Sequence, residues 1–110
     1  MPVPPLAEFE FCVMLAVAHL GEDAYGASVR QEIETRTGRV VSIGALYTTL
    51  ARLEANGLLT LRTVRAEVGQ RGRALRYCRL TPAGLAAVTE TATMVTRMLH
   101  GLKLAPYRGK

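Results

Sequence analysis

Between Ile43 and Leu53 the apolar residues Ile43, Leu46, Tyr47, Leu50 and Leu53 recur at three- and four-residue steps, which on a helix forms a single stripe. Ser42 ahead of them can accept a backbone N–H bond, and Asn56-Gly57 behind them supplies a left-handed residue, so the pattern predicts a helix from Ser42 to Asn56. The opposite face reads Gly44, Ala45, Thr48, Thr49 and Arg52. Small and hydroxylated side chains there let the helix backbone come close to another surface.

The same periodicities divide the rest of the chain. Residues 1–5, with three prolines, read as an extended arm. A first helix is expected from about Leu6 to Leu20, with Leu6, Phe9, Val13, Ala16, Val17 and Leu20 on one face. Phe11, Met14, Leu15 and Ala18 fill much of the remainder, so this helix is expected to be buried on two sides, by its own domain and by a partner. Asp23 is expected to cap a second helix, Ala24 to Thr37, which Gly38 ends. Leu58–Val64 and Leu75–Leu80 have strand composition and are joined by a basic, glycine-containing segment, as in a β-hairpin. Thr81-Pro82 opens a last helix. Its Leu85, Val88, Ala92, Val95, Leu99 and Leu102 alternate three and four apart, the spacing of a coiled-coil seam. The expected fold is therefore mostly α with a small β-hairpin: a winged helix-turn-helix over residues 1–80, then a dimerisation helix and tail over residues 81–110.

Charge sharpens this picture. The 110 residues carry a net +5, but up to Gly57 there are 4 basic and 7 acidic residues, and after it 10 basic and 2 acidic. Arg62, Arg65, Arg71, Arg73, Arg76 and Arg79 face a single acid, Glu67, between Leu58 and Arg79. Such a basic segment beside a small-faced helix is the electrostatic footprint of a nucleic-acid binder. The candidate DNA-contacting residues are Ser42, Gly44, Ala45, Tyr47, Thr48, Thr49 and Arg52 on the helix, with Gln70, Arg71, Arg73 and Arg76 in the wing. Thr48, Thr49 and Arg52 are the candidate base readers, and Arg71 and Arg73 the phosphate or minor-groove contacts. Ser42 fits capping alone as well as phosphate contact, and Tyr47 fits a core position as well as a contact through its hydroxyl. Arg62 and Arg79 also fit plain solvation.

Other chemistries find little support. Cys12 and Cys78 are far apart with no Cys-x-x-Cys and no clustered His, which argues against disulfide frameworks and zinc sites. No nucleophile elbow, phosphate loop or carboxylate pair beside a histidine is present, so no catalytic residue, cofactor or metal is expected. His19 and His100 read as charges at helix C-termini. The first basic residue is Arg30 and the longest apolar run falls short of a bilayer span, so a cytoplasmic protein without a membrane partner is expected. Phe11, Leu15, Leu85, Val88, Ala92, Val95, Met98, Leu99 and Leu102 are the candidate dimerisation residues.

Several motifs carry a family resemblance. Phe9-Glu10, Ala24-Tyr25-Gly26, Thr37-Gly38-Arg39, Gly44-Ala-Leu-Tyr47 with the following Leu50-x-Arg-Leu-Glu54-x-x-Gly-Leu58, and Arg76-Tyr77-x-Arg79-Leu80-Thr81-x-x-Gly84 together resemble PadR-like transcriptional regulators, from about Leu6 to Leu102. The resemblance implies a homodimeric repressor of the short subtype, its third helix in the major groove and its wing on the flanking backbone or minor groove; two such helices related by a dimer axis would call for an inverted-repeat operator in double-stranded DNA. Position 78, often aromatic in such proteins, is Cys here, and there is no Trp to build the aromatic drug pocket some relatives carry at the dimer interface. Two other readings stand beside it. One is a winged-helix protein-interaction module that does not touch DNA. The other is a regulator with a small apolar effector in a pocket at the dimer interface, which Met94 and Met98 would line.

Overall fold

A computed structural model of the chain describes residues 6–65 and 74–103. The expected N-terminal arm and Gln70, Arg71 and Arg73 lie outside the described residues. Among the described residues four helices, α1 (Glu8–Leu20), α2 (Gly26–Thr37), α3 (Ile43–Ala55) and α4 (Pro82–Leu99), accompany one antiparallel hairpin, β1 (Leu59–Arg65) with β2 (Ala74–Leu80), set between α3 and α4. Among the described residues no helix is long and apolar enough to cross a membrane.

Helix α1 starts at Glu8 rather than Leu6 because its first turn closes on itself: the Ala7 N–H donates to Glu10 Oε1 at 3.0 Å. Leu6 is held instead by α4, its N–H donating to the buried Thr91 hydroxyl at 3.1 Å. Val13, Met14, Ala16 and Val17 are buried, and Phe11 and Leu15 are partly buried against the same core.

The second helix departs from the sequence expectation. Asp23 does not cap it; Asp23 ends a 3-10 turn, Gly21–Asp23, and α2 begins only at Gly26. Ala24 and Tyr25 are extended because the hairpin recruits them: the Cys78 N–H donates to the Ala24 carbonyl at 2.8 Å, and Tyr25 forms an antiparallel bridge to Tyr77. Ser28 then does the capping work, accepting the Tyr25 N–H at 2.9 Å and donating to the Asp23 carbonyl at 2.6 Å. Gly38 ends α2 at φ +73°, as expected of a left-handed cap.

The hairpin pairs Leu59 with Leu80, Leu61 with Cys78 and Arg62 with Tyr77. Side chains alternate across a strand, so Leu59, Leu61, Cys78 and Leu80 form one row on the core, and Thr60, Arg62, Tyr77 and Arg79 form the other.

At the start of α4, Thr81 Oγ1 accepts the Gly84 N–H at 2.9 Å and donates to the Gly57 carbonyl at 2.7 Å. A Cβ at position 84 would collide with the Leu58 carbonyl, so glycine is what lets α4 lie on the α3–β1 turn. Gly84, Ala87, Val88 and Thr91 are buried. The seam read from sequence therefore divides. Val88, expected at a dimer contact, fills this chain's own core, whereas Leu85, Val95 and Leu99 remain exposed together with Met94 and Met98. Leu102 is exposed beyond the helix end, and Ala92 is half-buried.

Candidate nucleic-acid interface

Ser42 caps α3 as its side chain suggests, Oγ accepting the Ala45 N–H at 3.1 Å. The helix packs inward through Leu46, Thr49, Leu50 and Leu53. Its centre of exposure lies opposite, on Gly44, Thr48, Ala51 and Ala55, with Ala45 and Arg52 along one flank. Two sequence expectations are corrected here. Thr49 is only 5% exposed, since it stands three residues after Leu46 and four before Leu53 and so shares their face. Ile43, placed on the apolar stripe from sequence, is 47% exposed, because the first helical residue projects past the elements the stripe covers. Ala51 and Ala55 were missed. Their sequence signal is the four- and three-residue recurrence of small residues from Gly44.

Tyr47 is half-buried and touches the core with its ring. Its hydroxyl lies against Gly26, so closely that a Cβ there would overlap it. The side chain thus crosses from α3 to the first turn of α2 and fixes the angle between the two helices. Arg30 adds a second tie, its Nε donating to the Val41 carbonyl at 2.7 Å just ahead of α3.

Two arginines border α3 and are held by the first turn of α1. Arg39 Nη1 donates to Glu8 Oε2 at 2.6 Å, and the Arg39 guanidinium carbon lies 4.9 Å from the Phe9 ring centroid. That hydrogen bond holds the Glu8 carboxyl below its ordinary range and raises the already high Arg39 pKa. Arg52 Nη1 stands 3.7 Å from Glu10 Oε2. The candidate reader is therefore tethered to α1 rather than free. Burial pushes the Cys12 thiol up, and the Cys78 thiol up to about 11.

On the hairpin Arg76 is exposed opposite Thr63, on the row that carries Cys78 and Leu80. Arg62 and Arg79 belong to the other row, with the Arg62 guanidinium 6.0 Å from the Tyr77 ring centroid. Among the described residues no group of acids, His and Cys could hold a metal ion.

Three helices, a hairpin whose third edge is the Ala24-Tyr25 segment, and a further helix leaving the second strand make up a winged helix-turn-helix. Residues 14–90 match the model of the transcriptional regulator PadR-like family. The transcriptional regulator Rv3488 of Mycobacterium tuberculosis is 48% identical over 80 residues, which are 71% of this chain and 70% of that protein. Among solved structures, a PadR-like transcription factor from Bacteroides fragilis aligns with TM-score 0.70 at 27% identity, covering 82% of each chain. F93 from STIV, a winged-helix DNA-binding protein, aligns with TM-score 0.66 at 18% identity over 89% of this chain and 98% of its own, a likeness of fold. The chain belongs to the PadR-like family of transcriptional regulators.

Proposed function

We propose that this chain is a homodimeric, sequence-specific DNA-binding repressor of the cytoplasm, with α3 in the major groove and the wing on flanking phosphates. The observation that carries this reading is the outward face of α3. Gly44, Thr48, Ala51 and Ala55 bring the helix backbone close to whatever it meets, and Arg52 stands at the edge with a guanidinium able to reach a base or phosphate. Thr48 and Arg52 are the base-reading candidates; Ser42 and Gly44, at the helix N-terminus, and Tyr47 and Arg76 are positioning contacts to the backbone. Arg71 and Arg73 retain that role as an expectation from sequence. Thr49 does not share it, being buried.

Dimerisation follows from α4. On the far half of α4, Met94, Val95, Met98 and Leu99 recur at three- and four-residue steps and leave a helix face uncovered by this chain, which a second copy related by a two-fold axis would cover. Binding across a two-fold axis matches an inverted repeat, and repression would follow from occupying the promoter.

Retention on duplex DNA measured over a salt series tests this. Affinity should fall with a log–log slope of about 0.9 per phosphate contact, and Arg76→Ala should make the slope shallower without changing the preferred sequence. No retention even at low salt would favour a winged-helix module that binds protein instead.

A further inference from the structure

The outer row of the hairpin faces a cavity of about 650 Å³ whose opposite wall is the turn after α1. Thr60, Leu61, Arg62, Tyr77, Cys78 and Arg79 line it from the strands, and Gly21 and Glu22 from the turn. Arg62 pairs across the ladder with Tyr77, and Thr60 with Arg79, so the two arginines occupy diagonal positions on one face of the sheet. Among the described residues neither is ion-paired. Two like charges on one face, with the Tyr77 ring opposite Arg62 and the Thr60 hydroxyl opposite Arg79, favour a counter-charge. None of the lining residues belongs to α3.

We propose that this cavity binds a small oxyanion, the carboxylate or phosphate group of a low-molecular-weight ligand, between Arg62 and Arg79 against the Tyr77 ring. Guanidiniums recognise both groups through paired N–H donors, and the ring supplies a flat wall for an adjoining planar part. Glu22 on the opposite wall limits the affinity, because its charge opposes the ligand's.

Benzoate and inorganic phosphate are titrated separately at constant ionic strength, and the backbone amides of residues 60, 62, 77 and 79 are followed by NMR. Saturable shifts for at least one probe, with Kd on the order of 1 mM, are expected. Benzoate alone would identify a carboxylate ligand, and phosphate alone a phosphorylated one. Arg62→Gln and Arg79→Gln should each weaken binding at least tenfold, and Glu22→Gln should tighten it, a gain that misfolding cannot imitate. Absence of saturation with both probes, equal binding by the arginine variants, or displacement of the probe by duplex DNA would overturn the assignment. Thr48→Ala should leave the shifts unchanged, so a failure of the DNA-reading proposal would not remove them.

Discussion

Glu10 and Arg52 join α1 to α3: Arg52 Nη1 lies 3.7 Å from Glu10 Oε2, while Glu10 Oε1 accepts the Ala7 N–H at 3.0 Å. One carboxylate thus closes the first turn of α1 and holds the arginine at the edge of the α3 face. At that separation, with Arg52 half-exposed, the pair contributes about 0–1 kcal/mol. Glu10→Gln should therefore lower stability by no more than about 1 kcal/mol. It should also free Arg52 to reach a base edge, tightening binding to the preferred duplex more than to unrelated duplexes. Thermal melting and fluorescence anisotropy on preferred and unrelated duplexes read the two effects, and an unchanged affinity ratio would show that the tether does not restrain Arg52.

Gly26 is required by Tyr47. Alanine at position 26 would meet the phenol hydroxyl, so that the Tyr47 side chain, α2 or α3 must shift. Gly26→Ala should cost about 1–3 kcal/mol, the usual range for overpacking. Adding Tyr47→Phe should recover part of that loss, which denaturant melts of the two single variants and the double variant would establish.

Much of this architecture was legible in the chain. Ser42, Gly38, Gly57 and Thr81-Pro82 act locally, through one cap or one left-handed residue, and local chemistry is what sequence displays. Asp23 misled because a good capping residue was overridden by a tertiary demand: Ala24 and Tyr25 join the hairpin, a partner distant in sequence. Thr49 misled because polarity was read as exposure, although its spacing from Leu46 and Leu53 already placed it inside. Val88 misled because heptad spacing cannot tell a helix's own core from a partner's surface, and Gly84 brings that half of α4 down onto the body of the chain. The tether from Glu10 to Arg52 joins residues with no common periodicity and had no sequence signal.

Cys78 makes stability depend on alkaline pH. Burial raises its thiol from 9.0 to about 11, so the folded chain keeps the proton where the unfolded chain has lost it. The sign is that of a raised pKa: the contribution is fully present below pH 9 and is lost as pH rises toward 11. Wild type should therefore lose more stability than Cys78→Ala across that interval in urea titrations, and parallel pH profiles would refute this account of the thiol.

Assembly rests on the far half of α4. Val95→Glu with Leu99→Glu alters two side chains that are 37% and 48% exposed in a single chain, so helical content should survive while association is lost. Sedimentation should give twice the chain mass for wild type and one chain mass for the variant. A wild-type protein that sediments as one chain across micromolar concentrations would contradict the proposed dimer.

The central claim is that the outward face of α3 reads DNA sequence, and selection from a random duplex library tests it most directly. Wild type should return an inverted repeat with half-site centres about 34 Å apart, or a multiple of that. Thr48→Ala and Arg52→Ala should each relax preference at particular half-site positions, by roughly 1–3 kcal/mol per lost base contact. Thr49→Val, at a buried position, should return the wild-type motif. If Thr48→Ala and Arg52→Ala instead returned that motif at full stringency, the face would not be the reader, and the placement of α3 in the major groove would be wrong.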